Sequence, residues 1–294
     1  MVRRIDVTGA GGVSLAAWEF GDPPKSGEPE PRPGVLLLHG LMGRASHWAP
    51  TARWLSERRR AIALDQRGHG QSAKPEQAAY TREAYVEDAE AAVEQLGLAP
   101  VVLIGHAMGA LTAWQLAARR PDLVSGLIIC DMRASALGAA SQREWENWFK
   151  AWPLPFATLA DVRKWFGEDD PWVERPSPSR GEFYAEVMHE GPDGWRPVFD
   201  PEQMLTTRET WVYDAHWEEL TQVRCPALVV RGLDGELGRA ESQEMVRVLS
   251  SAMARRRSES QRAVGAQRAS RPMRPCSNST PGRGSGSPDL GGSP

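Results

Sequence analysis

Five short runs of uninterrupted apolar residues punctuate this 294-residue chain: Val35–Leu38, Ala61–Leu64, Val101–Ile104, Leu127–Cys130 and Ala227–Val230. A strand that is apolar at every position, not at every second one, has to be covered on both faces, as strands are in a parallel sheet. The stretches between the runs, among them Ser46–Glu57, Glu83–Leu96 and Ala110–Arg120, are amphipathic and long enough for crossover helices. The pattern predicts an α/β chain with a mostly parallel, doubly wound sheet. Ile5–Thr8 and Val13–Phe20, around Gly9-Ala10-Gly11-Gly12, read as an antiparallel hairpin on the sheet edge.

The alternation stops at Asp131. No buried-strand run falls between Met132 and Val223, yet eight of the twelve tryptophans do. A helical, Trp-rich cap over 133–222 is expected, dividing the core into a first part, 1–132, and a second part, 223–251. Pro171, Pro176 and Pro178 would mark a loop between cap helices. An aromatic layer above the strand ends is where an apolar pocket forms, and Trp145 and Trp148 are its expected lining.

The run Val101–Ile104 leads directly into Gly105-His106-Ala107-Met108-Gly109, and a helical pattern follows from Ala110. Glycines on both sides of the central residue suit a sharp, strained turn from strand to helix. Such a turn lifts its central side chain above the sheet. Here that side chain is a methyl group. Three further motifs stand in order around it: Leu38-His39-Gly40-Leu41 at a strand end, the Asp65–Ser72 turn after the next strand, and Gly232-Leu233-Asp234 after the last apolar run.

This ordered set resembles the α/β-hydrolase fold family, particularly its small cap-bearing esterase, lyase and C–C hydrolase members, over roughly residues 5–250. The resemblance implies a nucleophile at position 107 and an oxyanion hole from the backbone N–H groups of Leu41 and Met108. It implies an acid at Asp234, with Asp131 at the end of the preceding strand as the alternate. His39, Gly40 and Met42 would lie against the substrate. The parent chemistry would cleave a carboxylic ester or related activated carbonyl bond in a hydrophobic or aromatic small molecule, with no metal and no organic cofactor.

Two parts of that machinery are absent from the text. Ala107 supplies no nucleophile, and none of the six histidines (His39, His47, His69, His106, His189, His216) follows Asp234 to act as the base. His39 and His106 belong to the loop and the turn, His69 to a turn, and His189 and His216 read as surface or cap-packing residues. The chain is therefore expected to be impaired as a serine hydrolase. Either an ordinary hydrolase has been altered at 107, or the chain is a natural non-hydrolytic member: a ligand-binding, receptor-like protein, or a lyase or cyclase without a covalent intermediate.

Charge and composition narrow the partners. Residues 252–294 hold eight Arg and two acids, so the rest carries a net −9 within an overall −3, which argues against nucleic acid. No apolar stretch is long enough for a membrane span or a leader core, and Cys130, Cys225 and Cys276 make no disulfide framework, which together suggest a cytoplasmic setting. A small apolar ligand is the expected partner, with a homodimer left open. The Arg/Ser/Gly/Pro-rich 252–294 segment has too few large apolar residues to fold and is expected to be a disordered tail. It supplies neither the last strand nor the closing helix that the family resemblance calls for. A shifted reading frame in GC-rich DNA and a genuine extension both account for such text.

Overall fold

A computed structural model describes residues 1–21, 33–76, 79–233 and 235–251, all within one compact unit, 1–256. Seven strands form the central sheet: β1 (Val2–Thr8), β2 (Ser14–Phe20), β3 (Gly34–Leu38), β4 (Ala61–Leu64), β5 (Val101–His106), β6 (Val124–Cys130) and β9 (Ala227–Val230). Their order is β1-β2-β4-β3-β5-β6-β9; the first two pairings are antiparallel and the others parallel. All five apolar runs are parallel strands. Leu36, Leu37 and Leu38 are fully buried, as covering on both faces requires.

Helices α1 (Ala49–Ser56), α2 (Arg82–Gln95) and α3 (Met108–Arg119) are the crossovers. From β3 the chain moves to β4 on one side and then to β5 on the other. The strand order thus reverses at β3, and the chain leaves the carboxyl ends of β3 and β5 towards opposite edges of the sheet, where such sheets form a crevice. His39-Gly40, Ala107, Asp131 and Gly232 all follow strands at this end of the sheet.

The insertion contains α4 (Gly138–Lys150), α5 (Leu159–Lys164), α6 (Pro178–Ala185), α7 (Pro201–Val212) and α8 (Trp217–Gln222). Pro178 opens α6, where its missing N–H costs no hydrogen bond. The segment is not wholly helical: β7 (Met188–Gly191) and β8 (Gly194–Pro197) form a hairpin. These strands are half-exposed and four residues long, so they carry no apolar run. The turn signal Pro192-Asp193-Gly194 was their readable trace.

Most of the cap tryptophans build the cap itself. Trp148 stacks on Trp172 with ring centroids 4.5 Å apart, and Trp152 meets Phe166 edge to face at 4.7 Å. Buried Asp170 accepts from Trp148 Nε1 at 3.0 Å and pairs with Arg180. Glu186 ties this layer to the core, its carbonyl accepting from Arg44 Nη1 at 2.9 Å and its carboxylate from Ser46 Oγ at 2.8 Å.

Among the described residues, β9 has a neighbour only on its β6 side, and no helix is long and apolar enough to cross a membrane. A further helical stretch occupies 239–251 and buries Met245 and Leu249. The proposed tail, 252–294, lies outside the described residues. Leu228 and Val230 project from β9 with 55 % and 43 % of their surface exposed. An open apolar edge pairs with other chains unless charge interrupts it. The chain is therefore expected to self-associate with rising concentration in sedimentation velocity. Leu228→Lys should weaken that association while shifting stability by no more than about 0.5 kcal/mol, as an exposed substitution does. Equal association of the two proteins would contradict this.

Candidate active site

The turn after β5 is as tight as its glycines suggest. Ala107 has φ 46° and ψ −121°, a conformation costly for any residue with a Cβ. A Cβ on Gly105 would lie 2.3 Å from Gly109 O, and one on Gly109 would lie 2.4 Å from Leu38 O. The first turn of α3 is thus pressed against the ends of β3 and β5. Ala107 N donates to Cys130 O at 2.9 Å, which fixes the turn to β6 as well.

The loop after β3 is held by two histidines. His39 Nδ1 lies 2.8 Å from Gly40 O, and its Nε2 accepts from Gln66 N at 3.0 Å. His69 Nδ1 lies 2.8 Å from Arg67 O, and its Nε2 accepts from Met42 N at 3.2 Å. Both rings are buried, and each needs an unprotonated Nε2 to accept. Burial favours that state: it holds His39 well below its ordinary pKa, and lowers His69 from 6.5 to about 4. The Asp65–Ser72 turn that carries Gln66 and His69 is itself anchored. Arg67 makes two 2.7 Å contacts with the buried Asp88 carboxylate on α2, and Asp65 accepts from Ala45 N at 2.6 Å and Gln71 N at 3.0 Å.

Above these elements lies a mainly apolar cavity of about 470 Å³. Gly40, Leu41, Met42, Ala107, Met108, Asp131 and Trp145 line it, so the structure brings together most of the residues singled out from the sequence. Neither Leu41 N–H nor Met108 N–H has a protein acceptor among the described residues. Asp131, at φ 49°, has Gly232 N and Leu237 N each 3.4 Å from its Oδ1. Asp234 lies outside the described residues.

Two expected contacts are not in the lining. His39 is 2 % exposed and committed to Gln66 beneath the loop, and Trp148 is 3 % exposed inside the cap's aromatic core. His189 and His216 are also absent from the lining; His216 instead lies 3.4 Å from Glu219. His106, assigned to the turn from the sequence, opens onto the cavity. Its protein surroundings lower its pKa, with Asp131 working the other way.

Sequence reasoning missed Arg180, Phe183, Tyr184, Arg208, Trp211 and Glu236. For Arg208 a signal existed. Met204, Arg208, Trp211 and Val212 recur at i, i+4, i+7 and i+8, which puts a cation inside an apolar helical stripe.

Comparison with known proteins agrees with the fold. The family profile described as alpha/beta hydrolase fold matches residues 33–164. The (E)-2-((N-methylformamido)methylene)succinate hydrolase of Acinetobacter baylyi is 29% identical over 220 residues, which are 74% of this chain and 77% of that enzyme. The sn-1-specific diacylglycerol lipase ABHD11 of Mus musculus is 40% identical over 102 residues, but that match spans 34% of this chain and 33% of the mouse protein. In three dimensions the chain is similar to the crystal structure of E-2-(acetamidomethylene)succinate hydrolase. The TM-score is 0.70 at 24% identity, covering 84% of this chain and 87% of that one, a likeness of fold. The chain has the α/β-hydrolase fold, and its residues 33–164 match that family's profile.

The neutral imidazoles have a measurable consequence. An unfolded His69 takes its proton near pH 6.5, the folded one only near 4. Between those values the unfolded chain binds more protons, so stability falls as the pH drops below about 6.5. The thermal midpoint should decline already between pH 6.5 and about 5, above the ordinary carboxylate range. His69→Gln should flatten that decline. A midpoint unchanged down to pH 5 in the unsubstituted chain would contradict the neutral burial.

Proposed function

We propose that this chain carries the carbonyl-binding site of an α/β-hydrolase. The parent chemistry is hydrolysis of a carboxylic ester or related activated carbonyl bond in an apolar small molecule. With alanine at 107, the chain binds such molecules without serine-type turnover. The observation that carries this reading is the placement of the Ala107 methyl group on the cavity wall, between Leu41 and Met108 and at the start of α3.

A carbonyl oxygen set between the Leu41 and Met108 N–H groups would meet two unengaged donors and the positive end of the α3 dipole. In a complete hydrolase the side chain at 107 would attack the carbonyl carbon. A methyl group has no lone pair, so no acyl-enzyme forms. Relatives named as hydrolases of substituted methylenesuccinates and of diacylglycerol support a carbonyl substrate class.

A second reading rests on His106. It faces the cavity and interacts with Asp131, and its lowered pKa favours the neutral base. In that role it would take a proton from a water attacking a reactive carbonyl, with no covalent intermediate.

Loss of the triad side chains costs on the order of 10^6 in rate. The chain should therefore show no fluorophosphonate label and no burst with p-nitrophenyl acetate. Ala107→Ser alone should still lack a burst, because the family's base position after Asp234 is not filled in this sequence. A fully active Ala107→Ser protein would contradict that assignment and make His106 the base. Slow, burst-free hydrolysis by the unsubstituted chain that disappears in His106→Gln would favour the second reading.

A further inference from the structure

Arg208 occupies a place where an apolar side chain is expected. Met204, Trp211 and Val212 are buried on the same stripe of α7, and Arg208 between them is only 2 % exposed. A cation taken out of water needs compensation. Gln142 Oε1 accepts from Nη1 at 2.8 Å, Ser141 Oγ accepts from Nη2 at 2.6 Å, and the Trp145 ring centroid lies 4.9 Å from the guanidinium carbon. All three partners are neutral. A guanidinium has five N–H donors, and Arg208 meets no further acceptor among the described residues.

The other charges on the cavity do not resolve this. Arg180 also lines it, but Asp170 takes that charge and Phe166 O accepts from Nε at 3.0 Å. Glu236 faces Arg208 electrostatically without coming within ion-pair distance, and burial together with Asp131 pushes its carboxyl towards the neutral form. Arg208 thus brings a positive charge with spare donors to a cavity otherwise walled mainly by apolar groups, Trp145 and Trp211 among them.

We propose that Arg208 anchors a carboxylate on the ligand, so that the site selects apolar molecules carrying a carboxylate over their neutral counterparts. A guanidinium fork matches the two oxygens of a carboxylate, and the exchange replaces an uncompensated buried charge with a pair. The anchored group would set the remainder of the ligand between Trp145 and the Ala107 wall. This deepens the proposed function and rests on its reading of the cavity as the ligand site.

Calorimetric titration of the full chain with 3-phenylpropionate and with 3-phenylpropionamide at pH 7 tests it without any need for turnover. The acid should bind on the order of 10- to 100-fold more tightly than the amide, the range for a hydrogen bond to a charged group. Arg208→Gln should remove that preference while retaining amide binding. Arg208→Lys, which keeps the charge and loses the fork, should fall between the two and guards against a Gln variant that does not fold. Equal affinities for acid and amide in the unsubstituted chain would overturn the proposal and leave the cavity reading intact. An acid preference that survives in folded Arg208→Gln would overturn it too, and would move the anchor to Arg180. Failure of both molecules to bind would overturn the proposal together with the cavity reading beneath it.

Discussion

The contact between the first turn of α3 and the ends of β3 and β5 sets the position of everything else around the cavity. It is a backbone-to-backbone approach that no Cβ would allow, as the carbonyls of Leu38 and Gly109 show against the glycines facing them. Holding α3 there forces Ala107 into a positive φ, turns its side chain towards the crevice, and leaves the Met108 N–H at the helix start without a partner among the described residues. The strain at one residue persists because the surrounding parallel strands over-determine it. A side chain with chemistry at 107 would inherit that position.

Around this point the chain handles its buried polar groups in two ways. The loops beneath the cavity bond mainly among themselves. His39, His69, Gln66, Arg67, Asp65 and Asp88 bond to one another and to the neighbouring backbone, with Gln66 Oε1 left over and the histidines kept neutral by burial. Such a network fixes the loop after β3. The cap side is open. Arg208 meets only neutral partners, and the Leu41 and Met108 N–H groups meet none among the described residues. A buried group without its natural counterpart is where a ligand gains most, which is why the proposed selectivity is assigned to Arg208 and the proposed carbonyl contacts to Leu41 and Met108.

Much of this was legible from the residues. Fully apolar runs point to strands of a parallel sheet, although β9 is left exposed at Leu228 and Val230, and the glycines at 105 and 109 mark a backbone crossing that demands them, so the sheet, the elbow and Leu41, Met42, Met108 and Asp131 could be placed in advance. The β7–β8 hairpin could not be read from periodicity, because four half-exposed residues per strand carry no alternation worth the name. Tryptophan count misled on the pocket. An insertion lacking a large sheet of its own has to make a core from its largest side chains, so Trp148 and Trp152 face one another and Trp145 and Trp211 face the cavity. His39 was misplaced for a related reason: motif position says which loop a residue belongs to, and the hydrogen bond to Gln66 decides which way its ring turns.

The claim at the centre of all this is that position 107 presents its side chain to an accessible cavity at the start of a helix. Ala107→Cys converts that claim into a reaction rate. A thiol at a helix N-terminus has its pKa pulled below the usual value of about 8.5, because the partial positive charge there favours the thiolate. Alkylation by iodoacetamide, followed by mass spectrometry against pH, should show residue 107 modified faster than buried Cys225 or half-buried Cys130, with an apparent pKa below that of a free thiol. A cysteine at 107 that reacts no faster than Cys225 in the folded protein would mean that the elbow does not face the cavity.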